Sequence, residues 1–168
     1  MKKLLKLLIR MTRPVVWRLA EAYDLRVNRW LHAYGQNPLV IEGDPDRARS
    51  HTPKSVYFNT RSGSITIGEN TVFGEDVKVL TGKHMNIEEA SLAKVELHHV
   101  PLSGRDIRIG SGCYIGTGAI IAGPVAIGDY AVVGAGSVVT KDIPPRTFAA
   151  GVPARVIRAL RKHESDLA

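Results

Sequence analysis

The chain has 168 residues, a formal net charge of +7, only 6% aromatic residues, 16 glycines and a single cysteine. This length suffices for one domain with its own core, and a lone cysteine excludes an internal disulfide, which favours a reducing, cytoplasmic compartment. The excess positive charge does not indicate a nucleic-acid-binding protein, because no aromatic and basic recognition motif accompanies it.

The N-terminal segment is basic and amphipathic. Apolar residues recur at three-, four- and seven-residue steps, which predicts a helix over residues 2–34. Residues 1–30 hold eight basic and two acidic side chains. Such a helix suits an anionic lipid surface, so residues 1–31 are a candidate for peripheral membrane contact; the alternative is packing on the rest of the protein or on a neighbouring subunit. A polar connector over residues 36–54 completes the predicted segment 1–54.

The central part of the chain repeats every six residues. A branched or bulky apolar residue begins each hexad, and a small residue, most often glycine, follows it in all but two, where Leu80 and Thr140 stand instead. The hexads begin at Ile67, Phe73, Val79, Ile109, Ile115, Ile121, Ile127, Val133 and Val139. A period of six fits neither a helix nor an isolated strand, but it fits a parallel β-helix in which each hexad forms one short side and a turn. We therefore predict a mainly β fold, with about five coils over residues 55–146, whose hexad-start residues point inward.

A long segment interrupts the repeat. The break over residues 85–108 is 24 residues, or four hexads, so that the repeat resumes in register at Ile109. We expect a loop extruded from one corner of the β-helix, and long loops on a rigid scaffold often carry function. Pro144 and Pro145 end the coils, and residues 147–168 are predicted to form a turn and a short helix from Ala154 to Lys162.

Two segments at the end of the repeat are more specific than the hexads: VGAGSVVTKDIPP at residues 133–145 and AGVPARVIR at residues 150–158. Together with the hexads they resemble the hexapeptide-repeat acetyltransferases, above all the sugar O-acetyltransferases of the galactoside and maltose type. The likeness covers about residues 56–160. It implies a left-handed parallel β-helix, a homotrimer, and acetyl-CoA as co-substrate, bound in a groove between neighbouring subunits.

The resemblance also implies the site residues. His84, in TGKH at residues 81–84, stands where the family has its catalytic histidine, and a base with a pKa near 7 can take the proton of a sugar hydroxyl. The implied acetyl-CoA contacts are Tyr114, Thr117, Ala135, Thr140, Lys141, Arg155 and Arg158. Candidate substrate contacts are Asn59, His98 and His99, and no metal is expected.

Three positions depart from the family pattern and bear on the acceptor. Met85 follows His84 where proline is common, and Tyr114 stands where a tryptophan is common. Ser62 stands where an acidic residue is expected to bind the substrate.

The leading hypothesis is transfer of the acetyl group of acetyl-CoA to a hydroxyl of a sugar or polysaccharide precursor, with His84 as general base in a ternary complex. An N-acetyltransferase acting on an amino sugar would use the same base and cofactor. A γ-carbonic anhydrase-like metalloprotein needs three zinc-binding histidines, and the adjacent His98 and His99 are poorly placed for it. A non-catalytic, membrane-associated scaffold is the third alternative, which rests on the N-terminal helix.

Overall fold

The computed structural model describes residues 31–161; the part of the predicted N-terminal helix over residues 2–30, with its candidate membrane surface, lies outside this range. The described residues wind into a three-sided prism of short parallel strands. Among them, no helix combines the length and the apolar character that crossing a membrane requires.

Each side of the prism is one sheet. Face A holds β1 (His32–Tyr34), β3 (Tyr57–Asn59), β6 (Lys78–Leu80), β9 (Ile120–Ala122) and β12 (Val138–Val139). Face B holds β2 (Leu39–Ile41), β4 (Ile65–Ile67), β7 (Ile107–Ile109) and β10 (Val125–Ile127), and an isolated bridge from Ile127 extends it to Ile143. Face C holds β5 (Val72–Phe73), β8 (Tyr114–Ile115), β11 (Val132–Val133), β13 (Thr147–Gly151) and β14 (Ala154–Ala159). The chain passes from face A to B to C, so that its turns stack into AB, BC and CA corners.

The interior confirms the hexad prediction. All nine hexad-start residues are buried, and those of face A lie in register across neighbouring coils, as in Val79, Ile121 and Val139. Each such side chain removed from water contributes roughly 1.5–3 kcal/mol. Cys113 lies in the same core with its Sγ 3.2 Å from the carbonyl oxygen of Gly128.

Packing between coils at the corners explains why a small residue follows most hexad starts. A Cβ added at Gly116 would lie 2.5 Å from the backbone nitrogen of Ala135 on the next coil. Because real Cβ atoms do not approach backbone nitrogen so closely, a larger residue there would push two coils apart.

The β-helix begins earlier than the sequence predicted. Residues 32–34 form strand β1, which pairs with β3 and replaces the end of the predicted helix. The predicted connector contains β2, paired with β4, and a short helix α1 (Pro45–Ser50) capped by Asp44. Leu31, Leu39 and Ile41 pack against the core, so these residues complete the first coil. The burial of their side chains and the pairing of their backbone override the helical spacing.

The predicted C-terminal helix is also wrong. Residues 154–159 form β14, which pairs antiparallel with β13 through a register shift between Phe148 and Ala149. This hairpin satisfies the outer backbone groups of β13, which would otherwise form an open edge of face C.

The segment between β6 and β7 leaves the prism at the AB corner. It contains a helix α2 (Ile87–Ala93), which begins with a reciprocal capping box between Asn86 and Glu89. Strand β7 begins at Ile107, inside the predicted loop 85–108, while Ile109 pairs with Ile67 and so confirms the register predicted for the resumed repeat. We refer to residues 82–104 as the AB loop.

Candidate active site

His84 lies at the AB corner, where the chain leaves face A and enters the AB loop. Its side chain is exposed, and its Nδ1 lies 2.7 Å from the backbone carbonyl oxygen of His98. A carbonyl oxygen only accepts, so Nδ1 carries the proton and donates it. This hydrogen bond leaves Nε2 unprotonated in the neutral ring, which is the form that a general base requires.

The returning part of the AB loop supplies the partner of His84. His98 has a left-handed backbone conformation, with φ of 64°, and its ring stands edge-on to the His84 ring with centroids 6.3 Å apart. The neighbouring carbonyl, that of His99, accepts the backbone N–H of Met85 at 2.8 Å. The loop therefore presents two successive carbonyl groups to two successive residues, 84 and 85.

Asn59 belongs to the same corner, one coil away. A Cβ added at Gly82 would lie 2.9 Å from Oδ1 of Asn59, which places this amide against the start of the AB loop. Its Oδ1 accepts the backbone N–H of Arg61 at 3.0 Å. The structure thus brings His84 and His98 into contact, and it places Asn59 beside Gly82, two residues before His84. The side chain of His99 is exposed nearby.

The predicted acetyl-CoA contacts fall into two groups. Thr140 and Lys141 follow β12 at the AB corner, on the side of the prism that carries His84. Thr117 and Ala135 lie on neighbouring coils of the CA corner, where Gly136 donates its N–H to the Thr117 carbonyl at 2.8 Å.

Face C carries the remaining three predicted contacts. Tyr114 lies on its outer surface between Val72 and Val132, and 46% of it is exposed. Arg155 pairs with Ala150, and Arg158 lies with its guanidinium carbon 5.8 Å from the ring centroid of Phe148. Arg155 lies toward the end of face C that leads into the CA corner, whereas Tyr114 and Arg158 lie level with Phe148. Face A separates them from His84, so one chain does not bring the base and all the predicted cofactor contacts together.

Ser62 has no exposed surface, and its Oγ has no hydrogen-bond partner. Its backbone N–H donates to Oγ1 of Thr81 at 3.0 Å, and Thr81 in turn donates to the carbonyl of Asn59 at 2.8 Å. Ser62 therefore lies beneath the corner and does not replace the acidic substrate contact that the resemblance led us to expect.

The groups that hold the AB loop in place were not predicted from the sequence. Lys83 forms an ion pair with Glu89 of α2, and this hydrogen bond, helped by the N–H of Asn86, lowers the pKa of Glu89. Arg105 donates from Nε to the carbonyl of Thr81 at 2.7 Å and from Nη2 to the carbonyl of Gly123. Burial lowers the pKa of Arg105, while Glu89 opposes this shift. The capping motif around Asn86 was readable from sequence, but the Arg105 contacts required the coil stacking.

Across residues 31–161, no three His, Cys, Asp or Glu side chains are grouped so that they could hold a metal ion. The three-histidine arrangement of the carbonic anhydrase alternative is therefore absent from this range. Nδ1 of His84 is engaged with a backbone carbonyl, not with a shared metal position.

The sequence of this chain is similar to those of known acetyltransferases. The family model for the bacterial transferase hexapeptide (six repeats) matches residues 106–141. The galactoside O-acetyltransferase of Escherichia coli K12 is 38% identical over 101 residues, which are 60% of this chain and 47% of the relative. The serine acetyltransferase of Escherichia coli K12 is 40% identical over 143 residues, which are 79% of this chain and 48% of the relative.

A solved structure shows a similar fold. The maltose O-acetyltransferase from Clostridium difficile 630 superposes with a TM-score of 0.52 and 29% identity over 83% of this chain and 75% of that chain. The described residues are a left-handed β-helix built of hexapeptide repeats. In this repeat and in these relatives, the chain is similar to hexapeptide-repeat acetyltransferases. It spans about half the length of the two curated relatives.

Proposed function

We propose that this protein transfers the acetyl group of acetyl-CoA to a hydroxyl group of a sugar or polysaccharide precursor. The observation that carries the proposal is the hydrogen bond from Nδ1 of His84 to the His98 carbonyl, because it leaves Nε2 as a base at an exposed corner. Acetyl-CoA as the donor is supported by the resemblance and by relatives that are themselves acetyltransferases.

The reaction needs one proton transfer in each direction. Nε2 of His84 takes the hydroxyl proton while the hydroxyl oxygen attacks the thioester carbonyl carbon. The tetrahedral intermediate collapses, the carbon–sulfur bond breaks, and Nε2 returns the proton to the departing thiolate of coenzyme A. The His98 carbonyl stabilises the imidazolium between these steps. Such a base contributes about 10²–10⁴-fold to the rate.

A sugar acceptor is supported by the galactoside and maltose relatives. The AB loop, with His98 and His99, adjoins His84, and the Asn59 amide lies beside Gly82 at the start of this loop; these groups would hold the acceptor. A second acceptor is serine, because the likeness to serine acetyltransferase extends over 79% of this chain. An amino sugar acetylated on nitrogen would need the same base and donor.

The division of the candidate site between two corners supports a homotrimer. In such an assembly, the CA corner of one copy lies beside the AB corner of the next, and acetyl-CoA binds between them. Thr117, Ala135 and Arg155 would then face His84 of a neighbouring copy. The outer surface of face A offers apolar contact area at Leu80, Ile120 and Val138, which alternate with the buried core residues.

The proposal is tested by replacing the base and measuring transfer separately from cofactor binding. His84→Asn should lower kcat by about 10²–10⁴-fold. Calorimetry should find that this variant binds acetyl-CoA with unchanged affinity, because His84 contacts only the reacting atoms. The double variant Lys141→Ala/Arg158→Ala should instead weaken acetyl-CoA binding, since these exposed cations are proposed to hold its phosphates.

Acceptors for this assay are a galactoside, maltose, serine and glucosamine, each with acetyl-CoA. Transfer by His84→Asn at the wild-type rate would remove His84 from the mechanism. Failure of the wild-type protein to bind acetyl-CoA would reject the transferase function itself.

A further inference from the structure

We propose that Arg105 is a positioning residue for the base. Its hydrogen bonds, which we call the clasp, join both ends of the AB loop and so hold the His98 carbonyl against Nδ1 of His84. This inference rests on the proposed function of His84. Arg105 touches neither the base nor any reacting atom, so its effect would pass entirely through the loop.

The contacts of Arg105 reach three successive coils. Its backbone N–H donates to the carbonyl of Ser62 at 3.1 Å. Its Nε donates to the carbonyl of Thr81 at 2.7 Å, and its Nη2 to the carbonyl of Gly123. Thr81 is the last residue before the AB loop, and Arg105 is the first after it. The guanidinium therefore joins the two ends of the loop to each other and to the coil beyond.

Two glycines fix the path of the Arg105 backbone. A Cβ added at Gly63 would lie 2.6 Å from the backbone carbon of Arg105, and one added at Gly123 would lie 2.5 Å from its carbonyl oxygen. Neither position accepts a side chain without displacing this backbone. The Arg105 backbone is thus packed between neighbouring coils on both sides, and this packing fixes the direction in which its side chain extends.

The clasp and the base are connected by short chain segments. Thr81 lies three residues before His84, and its N–H and hydroxyl both donate to the carbonyl of Asn59, at 3.0 and 2.8 Å. On the returning side, the Asn37 amide holds the Leu102 carbonyl at 3.0 Å. With both ends fixed, the His98 carbonyl keeps its position. Without the clasp, the loop could move and the His84 proton could exchange between Nδ1 and Nε2.

Arginine suits this task better than lysine. Its planar group donates in several directions at once, so that Nε and Nη2 reach two carbonyls of different coils. A lysine ammonium could reach one of them. Bonds from a charged donor to carbonyl oxygen are also stronger than neutral ones.

The experiment compares Arg105→Ala and Arg105→Lys with Arg108→Ala in the full chain. Arg108 lies on β7 with its side chain exposed on face B, so it is a matched loss of one arginine outside the loop. Nitrogen-15 NMR of labelled histidines reports the His84 tautomer, with His84→Asn used to assign the signals. Steady-state assays give kcat and the KM for acetyl-CoA.

We expect one Nδ1-protonated tautomer for His84 in the wild type and in Arg108→Ala, and a mixture in Arg105→Ala. The kcat of Arg105→Ala should fall by roughly 10- to 100-fold, since small displacements of a catalytic group have such effects. The KM for acetyl-CoA should change little, and Arg105→Lys should recover part of kcat. A purely structural role would lower thermal stability without changing the tautomer.

A folded Arg105→Ala protein with the wild-type tautomer and wild-type kcat would overturn the inference. If Arg105→Ala does not fold, the same result for Arg105→Met, which keeps a long side chain but has no hydrogen-bond donor, would do so. Because the tautomer is measured without substrate, failure of the clasp is distinguishable from failure of the proposed transferase function, which His84→Asn tests.

Discussion

At the scale of single residues, the surroundings of a side chain decide what its chemistry can do. His84 and His99 are both exposed histidines of one corner, yet only His84 directs a ring nitrogen at a backbone carbonyl. That contact selects one tautomer, which the sequence cannot specify. Cys113 shows the opposite case, because its surroundings suppress a reactive group.

Burial raises the pKa of the Cys113 thiol, and hydrogen bonds from neighbouring backbone and Thr71 oppose this shift only in part. The thiolate is the reactive form, so little of it should be present at neutral pH in the folded protein. We expect iodoacetamide to leave Cys113 unmodified at pH 7.5 and to label it fully in denaturant, as measured by mass spectrometry. Rapid labelling of the native protein would mean that the core opens at this coil.

At the scale of elements, side chains at the corners join one coil to the next. Oδ1 of Asp106, which precedes β7, accepts both the backbone N–H of Ser64 at 2.7 Å and its hydroxyl at 2.8 Å. Ser64 precedes β4, so this pair aligns the starts of two neighbouring strands of face B. The hydroxyl and the N–H both favour the carboxylate and lower the pKa of Asp106.

A lowered pKa in the folded state makes stability depend on pH in a defined direction. The Asp106 carboxylate contributes stability above its unfolded pKa of about 3.9, and this contribution is lost as the pH falls through the lower folded pKa. Asp106→Asn should therefore lose less stability than the wild type between about pH 5 and pH 2 in urea unfolding. Asp46→Asn, on exposed α1, is the matched control. Parallel curves for Asp106→Asn and wild type would contradict the expectation.

The hexads from Ile67 to Val139 were predictable because each places a buried apolar residue at a fixed spacing, independent of partners. Strands β1 and β14 were not, because their sequences also fit a helix and only pairing with β3 and β13 makes them strands. The candidate site divides in the same way. Motif resemblance identifies His84, whereas the roles of the His98 carbonyl and Arg105 depend on contacts across coils.

At the scale of the whole molecule, the prism separates the parts of the proposed site. His84 lies at the AB corner, and Thr117 and Ala135 lie at the CA corner, with the full width of face A between them. Under the proposed assignments, a complete site therefore requires a second copy. Oligomerisation would then be a condition of activity and not only of stability.

This arrangement predicts complementation between two inactive variants. His84→Asn removes the base, and Ala135→Trp should block the proposed cofactor groove. In every trimer that contains both variants, about one interface in three should join the intact AB corner of the Ala135→Trp copy to the intact CA corner of the His84→Asn copy and regain activity. Co-expression with two affinity tags, followed by assays of the doubly purified protein, measures this. If the mixed trimers were as inactive as each variant alone, the two residues would belong to separate sites or to one site that a single chain forms by itself.

The AB loop begins and ends at nearly one point, because Nε of Arg105, the first residue after the loop, lies 2.7 Å from the carbonyl oxygen of Thr81, the last residue before it. The strands that flank the loop stay paired with neighbouring coils, as Leu80 does with Ala122 of the following coil. A shorter or longer loop at this position would change the free energy of folding little, since the entropic cost of loop closure grows slowly with loop length. Evolution, or an engineer, could exchange this one segment to change the acceptor while every coil of the scaffold stays as it is.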